Sequence, residues 1–346
     1  MKAHPEFVDV VPGDETNMRT GEADIVQNED GSLFMAYTHF RSWEDDAAAE
    51  ILSRRSTDGG RSWSEPQVVV ENEGRKNVAS VSMLQLRPDR LFLFYQRQHS
   101  EQSCIICSRL STDEGKTFGP ATFLTSEDRC YGLCNDSALR LSGGRFVLPY
   151  TLKVEPPGTP TRLEAGCLYS DDNGASWHSS NTVFAPESGA MEPKVVELKD
   201  DRLWMLLRTD QGTLYQAYSE NGGQRWSETE SSGIAAPLAP FVLQRIPTTG
   251  DIILIRNPTV DLEHHHQGMR NPLTCTISTD EGKSWEYSKE LESDRSLAYC
   301  YASLSLFDET AVLSYYVVLL DRPAGNSTVG VHSLRVTHVP VDWFYH

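Results

Sequence analysis

Four segments of this 346-residue chain place polar, chemically useful residues at one matching distance ahead of an apolar strand. Glu22, Asn135 and Glu192 each stand 11 residues before Leu33, Phe146 and Leu203, and the same count back from Ala311 reaches Cys300, beside Tyr301. Asp136 and Lys194 adjoin this set. A second set follows apolar strands instead: His39 and Arg41, Gln96 and Arg97, Arg208, then Arg256 and Asn257. An arginine after four apolar residues, as in WMLLRT, is costly to bury alone, so it either pairs within the protein or captures an anion. Several arginines aimed at one mouth suit bidentate capture of a carboxylate.

Convergence requires a scaffold that brings distant segments together, and the chain spells one out. The octet STDGGRSW at 56 returns as STDEGKTF at 111, SDDNGASW at 170, SENGGQRW at 219 and STDEGKSW at 278. Its Asp (Asn221 in the fourth copy) accepts nearby backbone N–H groups and its Gly permits positive φ, so each copy predicts a hairpin turn. The closing aromatic, Trp63, Phe118, Trp177, Trp226 or Trp285, packs the turn onto a neighbour. A second repeat has six copies: IVQNEDGSLFMAY, MLQLRPDRLFLFY, ALRLSGGRFVLPY, VVELKDDRLWMLL, VLQRIPTTGDIILI and SLSLFDETAVLSYY. Each reads as strand, polar turn, strand. Two hairpins per period of about 55 residues make four strands per unit, the pattern of a propeller blade. The expectation is an all-β, six-bladed β-propeller over residues 1–346 as one domain. EFVDVV and VGVHSLRV should close the ring. First strands then line the axis, and the residues just ahead of them gather at one mouth.

The bulk numbers narrow the partners. A formal charge of -18 argues against nucleic acid and anionic membranes. No apolar run is long enough to cross a bilayer as a helix, and the first residues show no signal pattern. The expected location is cytoplasmic, or exported after a signal is removed. Seven scattered cysteines point to a reduced compartment. Cys104 and Cys107 form a lone CxxC on a predicted strand, where they read as buried side chains. No metal and no cofactor are expected.

Beyond these readings, the chain resembles the sialidase (neuraminidase) superfamily. Its octets resemble the family's Asp-boxes, or BNR repeats. MEPKVVELKDDRLWMLLRT is similar to the stretch with the catalytic glutamate and second triad arginine, which implies Glu192 and Arg208. GMRNPLTCTISTDEGKSW resembles the segment with the third arginine, implying Arg270, and AYCYASLSLFDETAVLSYY the segment with the tyrosine nucleophile, implying Tyr301. EDDAAAEILSRRSTDGG resembles the acid/base loop, implying Asp45 or Asp46. The resemblance implies an exo-acting retaining glycoside hydrolase acting on terminal sialic acid or a related acidic sugar. A tyrosine suits a substrate whose own carboxylate would repel a carboxylate nucleophile.

One motif departs. Where the family's first arginine belongs, this chain has Gly21 followed by Glu22. Arg19, Arg75 and Arg97 are the candidates to replace it, and Glu22 either meets a sugar hydroxyl or amine or pairs with Arg19. Asn135, Asp136, Arg41 and Arg97 complete the expected substrate contacts. The histidines at 264–266 lie in a polar connection, either a solvated loop or a lid from which His265 would reach substrate. Rival readings are a propeller lyase or hydrolase for uronate-capped chains and a non-catalytic glycan-binding propeller. Oligomeric state is not legible.

Overall fold

A computed structural model describes residues 4–87, 89–155, 161–263, 270–319 and 331–346. The hairpins assemble as six four-stranded blades. The first holds Arg19–Gln27, Leu33–Phe40, Ala49–Ser56 and Gln67–Val70; the second Asn77–Arg87, Arg90–Ser100, Ser103–Ser111 and Thr122–Phe123. The third has Leu139–Arg140, Phe146–Val154, Arg162–Ser170 and His178–Ser179; the fourth Met191–Glu197, Leu203–Arg208, Thr213–Ser219 and Glu230–Ala235. The fifth comprises Val242–Arg245, Ile252–Arg256, Leu273–Ser278 and Glu286–Glu292. In the sixth, Leu297–Phe307, Thr310–Leu319 and His332–Pro340 are completed by the N-terminal strand Glu6–Val11, antiparallel to the third of them. This is the closure that EFVDVV predicts. A short strand, Cys130–Gly132, stitches the second blade to the third, and one parallel bridge, Arg19 to His332, links the sixth to the first.

Strand alternation builds the core between blades rather than within one centre. In the fifth blade Ile253 and Ile255 face Leu313 and Tyr315 of the sixth, while Ile252 and Leu254 face Trp204 and Leu206 of the fourth. Each of the six junctions holds such a layer, for example Phe94 with Phe146, Cys167 with Met205, Ile51 with Leu93, and Tyr37 with Val336. A fully buried side chain of this size contributes about 2 kcal/mol, so the ring is held by many comparable joints.

The octets rivet these joints. Asp58 accepts Ser56 Oγ at 2.7 Å, the Ser62 amide at 2.9 Å and Ser62 Oγ at 2.6 Å, and Ser56 Oγ accepts the Gly60 amide at 2.7 Å. The same bonds recur around Asp113, Asp172 and Asp280. Asn221 keeps the amide contact, accepting from Arg225 N at 2.9 Å. The turn of one blade presses on the blade before it. At Gly282 (φ 82°) an added Cβ would lie 2.4 Å from the Trp204 ring, so both the backbone and the neighbour require glycine.

The cysteines depart from expectation. Cys104 is bonded to Cys130, tying the third strand of the second blade to the stitching strand, and the other five are free and buried. The two partners are 26 positions apart, and the chain between them leads out to the blade edge and back, a path that cysteine spacing does not reveal.

Candidate active site

Two repeated devices aim side chains into one mouth of the ring. The first is a bulge in the inner strand. Pairing slips between Gly21 and Asp24, Ala79 and Ser82, Met191 and Lys194, and Cys300 and Ser303. At each slip one residue takes positive φ: Glu22 (49°), Ser80 (62°), Glu192 (41°) and Tyr301 (53°). Non-glycine residues pay for that conformation, and here it turns four side chains toward the cavity. The second device lies on the next strand. Five residues after its first core residue come Thr38, Gln96, Thr151, Arg208, Asn257 and Tyr316, one per blade. Several hold the following blade's bulge. Thr38 Oγ1 accepts the Ser80 amide at 3.1 Å, Thr151 Oγ1 accepts the Glu192 amide at 2.8 Å, and Tyr316 meets Arg19 and Glu22.

The mouth holds a cavity of about 470 Å³ whose wall includes Arg19, Glu22, Asp45, Ser80, Glu192 and Tyr301. A recess of about 130 Å³ shares Arg19, Asp45 and Tyr301 with it and adds Arg208, Arg270 and Tyr316. Tyr301 donates its hydroxyl to Glu192 Oε1 at 2.8 Å, and Arg208 Nη1 meets Glu192 Oε2 at 2.5 Å. Burial pushes the Tyr301 phenol well above its ordinary range, and the Glu192 charge adds to it. Burial also works to raise Glu192, but Arg208 and the hydrogen bonds outweigh it and hold the carboxyl below its usual value. The result is an ionised carboxylate beside a neutral phenol, a base next to the proton it would take.

Arg208 and Arg270 stand side by side because one acceptor clamps both: Leu238 O receives Arg208 Nη2 at 3.2 Å and Arg270 Nη2 at 3.3 Å. Their buried Nε atoms have no partner among the described residues. Arg270 lies 6.0 Å from the Tyr301 ring centroid. Two adjacent guanidinium groups on the wall of one recess suit the capture of a carboxylate.

Arg19 borders the same recess as Arg208 and Arg270, by a route that the alignment on Gly21 hides. It starts two residues earlier and its guanidinium lies 4.3 Å above the Phe40 ring. It donates to Glu22 Oε1 at 2.8 Å, to Asp45 Oδ1 at 2.5 Å and to Tyr316 OH at 3.3 Å. Gly21 is bare because Tyr316 occupies its side-chain space, with an added Cβ 2.4 Å from Tyr316 Cε1. Glu22 therefore pairs with Arg19 and accepts Ser80 Oγ at 2.8 Å. Burial raises its carboxyl despite the arginine.

Asp45 and Asp46 part company. Asp45 borders both cavities, whereas Asp46 lines only the wider one and is held by Lys76 at 2.8 Å. Partial desolvation pulls Asp45 upward, but Arg19, with Arg270 and Arg208 behind it, keeps its carboxyl below the usual value.

Four expected substrate contacts lie elsewhere. Asn135 is buried and donates to the carbonyls of Ala23 and Tyr301, at 3.1 and 3.2 Å. Asp136 points down the axis, accepting from Gln244 Nε2 at 3.0 Å and the Leu304 amide at 2.7 Å, with Lys194 on its carbonyl. In the third blade this segment follows the stitching strand, so both residues brace the channel. Arg41 is exposed and bound to Glu50. Arg97 turns outward to Phe123 and Glu127, since alternation gives the cavity its neighbours Gln96 and Gln98. His265 lies outside the described residues. Tyr316, Ser80 and the Leu238 carbonyl escaped sequence reading. Counting 11 back from Leu91 reaches Ser80, and counting five on from Ala311 reaches Tyr316. No three His, Cys, Asp or Glu side chains converge as a metal site among the described residues.

Comparison with known proteins identifies the family and the fold. The BNR repeat-like domain family profile matches residues 18–312. A sialidase of Micromonospora viridifaciens is 27% identical over 282 residues, 69% of this chain and 41% of that protein. A sialidase of Bacteroides fragilis is 26% identical over 215 residues, 58% of this chain and 37% of its own. The chain thus spans about two-fifths of the length of these relatives. The solved structure of Hadza microbial sialidase Hz136 superposes with a TM-score of 0.76 at 16% identity, over 97% of this chain and 68% of that one.

Proposed function

This chain belongs to the BNR repeat-like domain family of the sialidase superfamily, and from that premise we propose that it is a retaining exo-glycosidase releasing a terminal sialic acid or related acidic sugar. The observation that carries the reading is the hydrogen bond from Tyr301 to a Glu192 that Arg208 keeps ionised. A phenol needs such a base to attack at neutral pH, and a glycan-binding propeller would have no use for the pair.

In this reading Arg208, Arg270 and Arg19 hold the sugar carboxylate. Tyr301 Oη attacks the anomeric carbon while its proton passes to Glu192, and the bond to the leaving oxygen breaks. Asp45, bordering both cavities, gives that oxygen a proton; Asp46, tied to Lys76, does not take part. Water then attacks the glycosyl-tyrosine, losing a proton to Asp45, and Glu192 returns its proton to the phenolate. Two displacements retain configuration.

Proton NMR of the protein with sialyllactose tests this. The expected result is free sialic acid whose α anomer appears first. Release of the β anomer first would remove the tyrosine mechanism, and an absence of release at high enzyme concentration would remove sialic acid as the substrate.

A further inference from the structure

We propose that Asp45 sits, in the free protein, on the part of Arg19 that a ligand carboxylate takes, so that binding itself transfers Asp45 from Arg19 to the leaving oxygen. The inference rests on the glycosidase reading above and adds to it an internal competitor for the anion seat.

The Arg19 guanidinium is fixed on three sides. Phe40 lies against its face, Glu22 binds Nη2 and Tyr316 OH accepts from Nε. Nη1 has both of its hydrogens in use, by Trp43 O at 3.3 Å and Asp45 Oδ1 at 2.5 Å. A carboxylate seated in the recess against Arg208 and Arg270 would reach Nη1 of Arg19 only by displacing one of these two acceptors. Trp43 offers a neutral carbonyl, whereas Asp45 brings a second negative charge beside the ligand's own, so Asp45 is the group that leaves.

It is also built to leave. Its side chain is 94% exposed while that of Arg19 is 8% exposed, so one partner of the pair is anchored and the other is free to turn. Asn77 Nδ2 donates to the carbonyls of Asp45 and Ala47, at 2.9 and 3.1 Å, and Lys76 holds Asp46. The loop is thereby pinned at residues 45–47 while the exposed Asp45 side chain can rotate. Turning about its own torsions carries the carboxyl from the recess into the wider cavity, where a leaving group would lie, and Asp45 borders both. Away from the arginine the carboxyl regains protons more readily, so the acid is armed only when the seat is filled.

The test is calorimetric titration of the full chain, wild type, D45A and D45N, with a 2,3-unsaturated sialic acid that cannot be hydrolysed, and with glucuronic acid. Removing the competitor should tighten the binding of the unsaturated acid about tenfold in D45A and by less in D45N, whose amide oxygen still competes weakly. A residue acting only as a proton donor, or only as a loop prop, predicts no tightening. If wild type binds the unsaturated acid and neither variant binds it better, the exchange is overturned while the glycosidase reading stands. If the unsaturated acid never binds but glucuronic acid binds more tightly to D45A, the exchange stands and sialic acid falls. If neither acid binds any of the three proteins, both ideas fall. Should D45A fail to fold, the isosteric D45N carries the same comparison.

Discussion

The first and fourth blades carry the same local device with opposite results. In each, a bulge gives a glutamate positive φ and an arginine closes on it: Arg19 on Glu22 at 2.8 Å, Arg208 on Glu192 at 2.5 Å. Glu22 is buried and Glu192 partly buried. Yet burial wins at Glu22, whose carboxyl is raised, and the arginine wins at Glu192, whose carboxyl is lowered. The neighbours account for it. Arg208 has Arg270 beside it, so Glu192 feels two guanidinium charges and a donating phenol. Arg19 is shared with Asp45, and Glu22 feels that second carboxylate as well. Glu192 is left with a proton to take, while Glu22 is saturated by Arg19, Tyr316 and Ser80 and works by holding Arg19 in place. Identical backbone geometry thus fixes where a carboxylate points, and the charges around it decide what it does.

The strongest way to break this comparison is to remove the proton transfer between Tyr301 of the sixth blade and Glu192 of the fourth. Y301F should lower kcat by about a thousandfold or more, and E192Q by about a hundredfold or more, with the double variant little worse than Y301F. Additive losses in steady-state kinetics would mean that the pair does not act as a unit. The matching change in the first blade, E22Q, should behave differently: KM rises about tenfold as Arg19 loses a charged partner, while kcat moves less. A kcat loss as large as that of E192Q would erase the distinction between the two blades. Next, G21A drives a methyl into the Tyr316 ring and should cost about 1–3 kcal/mol in urea unfolding, with Tyr316 displaced from Arg19. The smallest effect is at the outer turns. Asp113, Asp172 and Asp280 are held at about 2 by hydrogen bonds to their boxes, against an ordinary 3.8. A depressed carboxyl contributes stability that is complete above pH 3.8 and is lost as pH falls through about 2. The fourth blade has Asn221 there, which does not titrate. Hydrogen exchange in acid should therefore show the Arg225 amide protected after the Thr117 and Ser176 amides have opened.

Much of this was legible in the chain because periodicity and turn chemistry are local properties. The octets and hairpins mark the blades, and EFVDVV marks the strand that closes the ring. Glu192, Arg208, Arg270 and Tyr301 were legible by motif, and the structure sets Arg208, Arg270 and Tyr301 around one recess with Glu192 bonded to both Arg208 and Tyr301. What was hidden depends on relations between blades. Arg19 reaches the site although its backbone position is two residues from the expected one, because the bulge at Glu22 shifts the register and Tyr316, from the sixth blade, blocks position 21. Arg97 has the right position along its strand and the wrong parity. Asn135 has the right count and Asp136 adjoins it, but the stitching strand ahead of them sends both into the axis. The Cys104–Cys130 bond crosses the same irregular region and was equally out of reach.

The strand that completes the sixth blade has a further consequence for how the chain is made. Asp9 and Arg335, which bond across that closure at 2.7 Å, are 326 residues apart. On the ribosome Glu6–Val11 emerges early and must wait, unpaired, until His332–Pro340 has been synthesised, by which time five blades have had the chance to stack on one another. The circle is therefore completed only once His332–Pro340 is free of the ribosome, by a segment made some 326 residues earlier. A nascent chain stalled before His332 should leave that strand open to proteases while the octets of the earlier blades are already protected.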